Sequence, residues 1–85
     1  MTLEECREAA VKALPVVHLG VVAGHASSIT FARIKQVGVD INDKGIESPF
    51  VQLLDKSRNS VCYARPEDVV PESDYLERER MRNNV

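Results

Sequence analysis

The chain has 85 residues, enough for one hydrophobic core and no second domain. A composition of 44% hydrophobic and 28% charged residues excludes a disordered body. A formal net charge of −2 speaks against nucleic-acid or membrane-surface binding, which is advertised by a basic excess.

A domain this small hides only about 60–65% of what its unfolded chain exposes, so association between copies is a common remedy. Cys6 and Cys62 are the two cysteines, and they form neither a close pair nor a disulfide framework. The opening Met1 to Glu5 lacks the basic and apolar regions of a secretion signal. The longest apolar run, Val16 to Gly24, is too short for a bilayer and is interrupted by His18. The expected setting is cytoplasmic and reducing, with no membrane contact.

Residues 2–14 predict a helix. Thr2 caps it, and Glu5 three places on completes a capping box. Leu3, Cys6, Ala10, Ala13 and Leu14 share one stripe, and Glu8 and Lys12 pair at i,i+4. Pro15 is expected to end it, because the residue before proline is pushed out of the α region.

Residues 16–23 predict a strand that is apolar on both faces. Val17, Leu19 and Val21 lie on one side, Val16 and Val22 on the other. Gly24 to Ser28 predicts a turn. Residues 29–41 fit either a strand or a helix capped by Ser28 and ended by Gly38. The strand is preferred, because Ile, Thr, Phe and Val form helices poorly. A bulge near Ala32 to Ile34 would reconcile Arg33 and Lys35 with the alternation.

Asn42-Asp43-Lys44-Gly45 is a turn signal, and Ser48-Pro49 ends the loop. Phe50 to Asp55 and Ser60 to Arg65 read as a hairpin around Lys56 to Asn59. Pro66-Glu67-Asp68 reads as one helical turn, after which Val69 and Val70 return to the core. From Pro71 the chain becomes charged, with Asp74 and Glu77 spaced as a capping box. The expected division is one α+β domain over 1–76 and a flexible charged tail over 77–85.

The run from Phe50 to Val70 has an apolar strand ending in Asp55, a short polar turn, a second strand ending in Arg65, and Pro66-Glu67-Asp68-Val69. This resembles the last hairpin and 3₁₀ turn of an SH3-like small barrel. The resemblance implies an antiparallel, SH3-like barrel or curved sheet behind the N-terminal helix. Peptide-binding SH3 domains use an aromatic groove, and this chain has no Trp and two Tyr. RNA-binding versions carry basic loops that this chain lacks. Plasmid-type dihydrofolate reductases carry a Val-Gln-Ile-Tyr strand, of which Val51-Gln52-Leu53-Leu54 keeps Val and Gln alone. The chain also loosely resembles orphan proteins of bacterial mobile gene cassettes.

Cys6, His18, His25 and Cys62 are the inventory of a tetrahedral zinc site, but none forms the close ligand pairs that such sites use. Cys6 and Cys62 read instead as small buried hydrophobes, not nucleophiles. Gly20, Gly24 and Gly38 lack the Lys-Ser or Lys-Thr of a phosphate loop. Glu67 and Asp68 read as partners of Arg65 or of a helix dipole.

No catalytic residue, metal or cofactor is expected. The leading expectation is a non-catalytic interaction module that forms a homo-oligomer, a dimer first, or meets a protein partner. Val16, His18, Val22, Leu54 and Leu76 are its candidate interface. The alternatives are a nucleic-acid-associated regulator using Arg33, Lys35, Lys56 and Arg58, and an enzyme whose site forms between subunits.

Overall fold

The Thr2 hydroxyl accepts the Glu5 backbone N–H at 3.1 Å, and the Glu5 carboxylate accepts the Thr2 N–H at 2.9 Å. This capping box starts helix α1, Leu3–Val11. The Thr2 backbone and then its hydroxyl hold the Glu5 carboxyl below the usual carboxylate range.

The helix ends three residues before the expected Leu14, and Pro15 does not end it. Ala13 takes a φ of 54°. Its N–H donates to Ala10 O at 3.2 Å, and the Leu14 N–H donates to Ala9 O at 2.9 Å. This is a Schellman closure with alanine where glycine is usual. Ala13 and Leu14 therefore leave the helical stripe and are exposed, and the buried residues of α1 are Cys6 and Ala9.

The computed structural model describes residues 1–22 and 25–83. After α1 come β1 (Pro15–Val22), β2 (His25–Ile41), β3 (Glu47–Asp55) and β4 (Ser60–Ala64). A 3₁₀ turn at Pro66–Asp68, β5 (Val69–Pro71) and α2 (Glu72–Asn83) complete the chain. The strands form one curved antiparallel sheet in the order β4-β3-β2-β1-β5. The α+β expectation holds, and residues 29–41 are strand.

Further details differ from expectation: β3 starts at Glu47, so Ser48 and Pro49, expected to end the loop, pair with Asp40 and Val39. His25 to Ser28, expected as turn, belong to β2, and Ser28 pairs with Gly20; Ala23 and Gly24 lie outside the described residues. The bulge falls at Lys35, with Ile34 opposite Leu53 and Gln36 opposite Gln52. Ala32 and Ile34 are both buried, so the alternation is intact until Lys35. The extra residue there returns Val37 to the same face, opposite Val51.

One face of the sheet carries the core. Val16, Ala32, Ile34, Val51, Leu53 and Val69 pack there with Cys6 and Ala9 of α1. Small residues at both helix positions let α1 lie close against β2 and β3. The Met1 ammonium donates to Pro66 O at 3.0 Å and Val69 O at 2.8 Å, which ties the start of α1 to the 3₁₀ turn and β5.

The opposite face carries Val17, flanked in register by Phe31 and Val70. Helix α2 packs on β1 and β5 at this face. Its Tyr75 ring meets Phe31 edge-on, with centroids 5.9 Å apart. Residues 77–83, expected as a flexible tail, continue this helix without a break.

Local signals fix the connections. The Asn42 side-chain oxygen accepts the N–H groups of Lys44 and Ile46, and Gly45 supplies the positive φ of 76°. Asp55 does the same for the next hairpin, accepting from the Ser57 hydroxyl and from the Ser57 and Arg58 N–H groups. Those Ser57 bonds hold the Asp55 carboxyl below its ordinary value. Gly38 lies under the Phe50 ring, where an added Cβ would stand 2.7 Å from Cζ.

Replacing Ala13 by glycine is expected to raise stability by about 0.5–1 kcal/mol, because relief of the left-handed backbone outweighs the added chain entropy. Thermal melts followed by circular dichroism should rise by a few degrees, and a lower Tm would contradict the closure. Tyr75→Ala should cost about 1–3 kcal/mol through lost burial and lost ring contact. Leu76→Ala and Met81→Ala, at exposed positions, should each cost less than about 0.5 kcal/mol. Urea unfolding of the three variants checks this order, and equal losses would mean that α2 docks by another face.

Candidate functional site

The chemistry of the sheet differs sharply between its two faces. Alternation places Phe50, Gln52 and Leu54 of β3 on the side away from α1, because Val51 and Leu53 are buried beneath it. Pairing carries Val61 and Tyr63 of β4, and Arg33 and Phe31 of β2, to that side as well. All four aromatic residues of the chain thus meet on one surface: Phe31, Phe50 and Tyr63 from the sheet, and Tyr75 from α2. Phe31 with Tyr75 and Phe50 with Tyr63 form two edge-on ring pairs, each at 5.9 Å. Gln52 Nε2 donates to the Tyr63 hydroxyl at 3.3 Å.

Helix α2 covers the β1–β5 end of this surface and leaves the β3–β4 end open. Val61 is 45% exposed and Tyr63 66%. Val61 and Tyr63 are exposed there and Phe50 and Leu54 half-buried, with Arg33 exposed on β2 and Phe31 partly exposed beside Tyr75. A groove of about 560 Å³ lies where α2 meets the sheet, lined by Leu19, Ile29, Tyr75, Arg78, Met81 and Arg82 among others. Glu79 in its wall is paired with Arg82 at 3.4 Å.

The expected interface residues separate into different environments. Val16 is 1% exposed inside the α1 core, so it is no surface residue. The strand is apolar on both faces because α1 and α2 each cover one. His18 is half-buried on the α1 face beside Val69. Leu54 is half-buried on the aromatic face, and Leu76 is exposed on α2. Val22 pairs with His25 at the end of β1, and its side chain lies outside the described residues. The structure does not bring Val16, His18, Leu54 and Leu76 onto one surface. It does bring together the aromatic residues, whose shared face depends on register and on the Lys35 bulge.

Among the described residues no three His, Cys, Asp or Glu side chains lie close enough to share a metal ion. Cys6 is buried on the sheet-facing side of α1 and Cys62 is half-buried opposite Leu53. Burial pushes both thiols above the ordinary value, and the Asp55 carboxylate adds to the rise at Cys62. An activated cysteine needs the opposite shift. The neighbouring carboxylates Glu67 and Asp68 stand 3.7 and 3.4 Å from Arg65, as ion-pair partners on the surface. No helix among the described residues is long and apolar enough to cross a membrane.

No family model, no curated protein and no solved structure matches the chain.

The thiols give a direct check. At neutral pH, native Cys62 should react with a thiol reagent more slowly than in the unfolded chain, and Cys6 should react only on unfolding. A raised pKa leaves less thiolate at neutral pH, so the rate should climb as pH rises toward and through the elevated value. Rapid labelling of either residue at neutral pH, timed by mass spectrometry, would show an activated sulfur.

Proposed function

We propose that the protein is a small, non-catalytic, cytoplasmic interaction module that self-associates, as a dimer first. The observation that carries this reading is the open β3–β4 end of the aromatic face. Aromatic residues and arginine are the residues on which association energy concentrates, and here Tyr63 and Arg33 are exposed on one face with Val61, and Phe50 is half-buried against Tyr63. The other end of the same face is already covered from within the chain, by α2 through Tyr75. The SH3-like resemblance of residues 50–70 is part of this reading. It is supported by the 3₁₀ turn between β4 and β5 and by the meander order of the strands.

A second reading is favoured by one observation. Exposed Arg33 lies on the same face as Phe31 and Tyr63, and aromatic platforms with interleaved cations also bind single-stranded nucleic acid. The net charge of −2 weighs against it.

Light scattering at rising micromolar concentration is expected to give a mass above the 9.5 kDa of one chain. Substituting Val61 by Asp should return it toward one chain without changing the circular dichroism. A constant single-chain mass would reject self-association. If that result came with salt-sensitive binding of an oligonucleotide, the second reading would replace the first.

A further inference from the structure

The two edges of the sheet are built differently. Strand β5 is three residues long, ends in Pro71 and runs directly into α2. Those features blunt an edge against pairing. Strand β4 at the other edge has none of them. Ser60-Val61-Cys62-Tyr63-Ala64 carries no charge, no proline and no bulge, and it pairs with β3 over its whole length. Its outer side has no strand partner among the described residues. An edge of this kind is a template for another strand.

We propose that β4 pairs antiparallel with β4 of a second copy, about a two-fold axis at Cys62, joining the two sheets into one. This rests on the self-association reading and specifies its geometry. The pleat restricts the register. An antiparallel pair related by a two-fold has its axis perpendicular to the sheet, so both copies turn the same face the same way. Directly opposed residues must then share a face, which puts the axis on a residue and never between two. Centring on Cys62 is the choice that pairs all five residues, with Ser60 opposite Ala64 and Val61 opposite Tyr63 of the second copy. That register covers the two most accessible apolar side chains of the open end with each other. It also makes the aromatic face continuous across both copies.

Charge points the same way. In this register the Lys56–Asn59 turn of one copy comes alongside the start of the Pro66–Asp68 turn of the other. Lys56 and Arg58 are exposed at the first, and Glu67 is exposed at the second, with Asp68 beside it. Arg65, exposed at the start of that turn, is ion-paired to both acids, so the turn keeps one net negative charge against the two cations of the facing turn; shifting the axis by a residue would shorten the strand overlap.

The test uses the full chain carrying Cys6→Ala, which leaves Cys62 as the single thiol. Oxidation with copper phenanthroline at mildly alkaline pH should give a covalent dimer through Cys62. With both native cysteines replaced by alanine, Ser60→Cys and Ala64→Cys chains should cross-link when mixed and far less when oxidised alone. Tyr63→Lys is at an exposed position and should keep the fold. Placed twice across the axis, it should weaken the dimer by roughly tenfold or more in light scattering. A dimer by mass that shows no Cys62 link, no link between mixed Ser60→Cys and Ala64→Cys chains and no response to Tyr63→Lys would overturn the edge pairing and leave self-association standing. A single-chain mass at every concentration would overturn both.

Discussion

Val16 and Val17 are neighbours in the chain, and both are sealed from water, at 1% and 0% exposure. Successive residues of a strand point to opposite faces, so β1 needs cover on both sides at once. A single helix cannot supply it. Helix α1 covers the Val16 side with small residues, Cys6 and Ala9, that let it lie close to the sheet. Helix α2 covers the Val17 side with one aromatic residue, Tyr75, set against Phe31. The rest of the architecture follows from β1 being the strand that both helices protect. The sheet is sealed on both faces at Val16 and Val17 of β1, on one face at Val51 and Leu53 of β3, and on neither at β4.

That asymmetry gives the exposed part of the molecule its character. The α1 face is filled by Val, Ile, Leu, Ala and Cys, and its polar content is small. The opposite face collects the aromatic side chains, Gln52 and Arg33. Groups of this kind keep contact area and hydrogen-bonding capacity while remaining soluble, which suits a surface that is covered in one state and free in another.

Much of the local structure is legible in the sequence because it depends on single residues with one mechanism. Thr2 with Glu5, Asn42 with Gly45, Asp55 with Ser57, and Pro66 before two acids each state their element directly. The end of α1 is not legible, because alanine at position 13 carries no signal for a left-handed turn and Pro15 offers a nearer explanation. The bulge at Lys35 falls later than the pattern suggests, since an exposed Arg33 between buried neighbours is ordinary alternation and needs none. At the candidate site, the sequence signals a chain with surplus apolar surface but points to Val16 for part of it. Seeing that neither side of β1 is open requires knowing that α2 docks, and a helix with one aromatic among its charges gives little warning of that. The common face of Phe31, Phe50 and Tyr63 is hidden for a different reason. It exists only after the register of three strands is fixed.

The strand order has a kinetic meaning. Strands β1 to β4 pair with their neighbours in sequence, so each pairing closes a short loop. The seam between β1 and β5 joins His18 to Val69, and the Met1 ammonium adds its bonds to Pro66 and Val69 at the same place. Closing a loop that long costs about 2 kcal/mol more entropy than closing a hairpin. The seam is short and can repay that cost only once the meander is in place to align it. On this entropy argument the local hairpins are expected to pair before the seam that ties β1 and Met1 to residues 66–71.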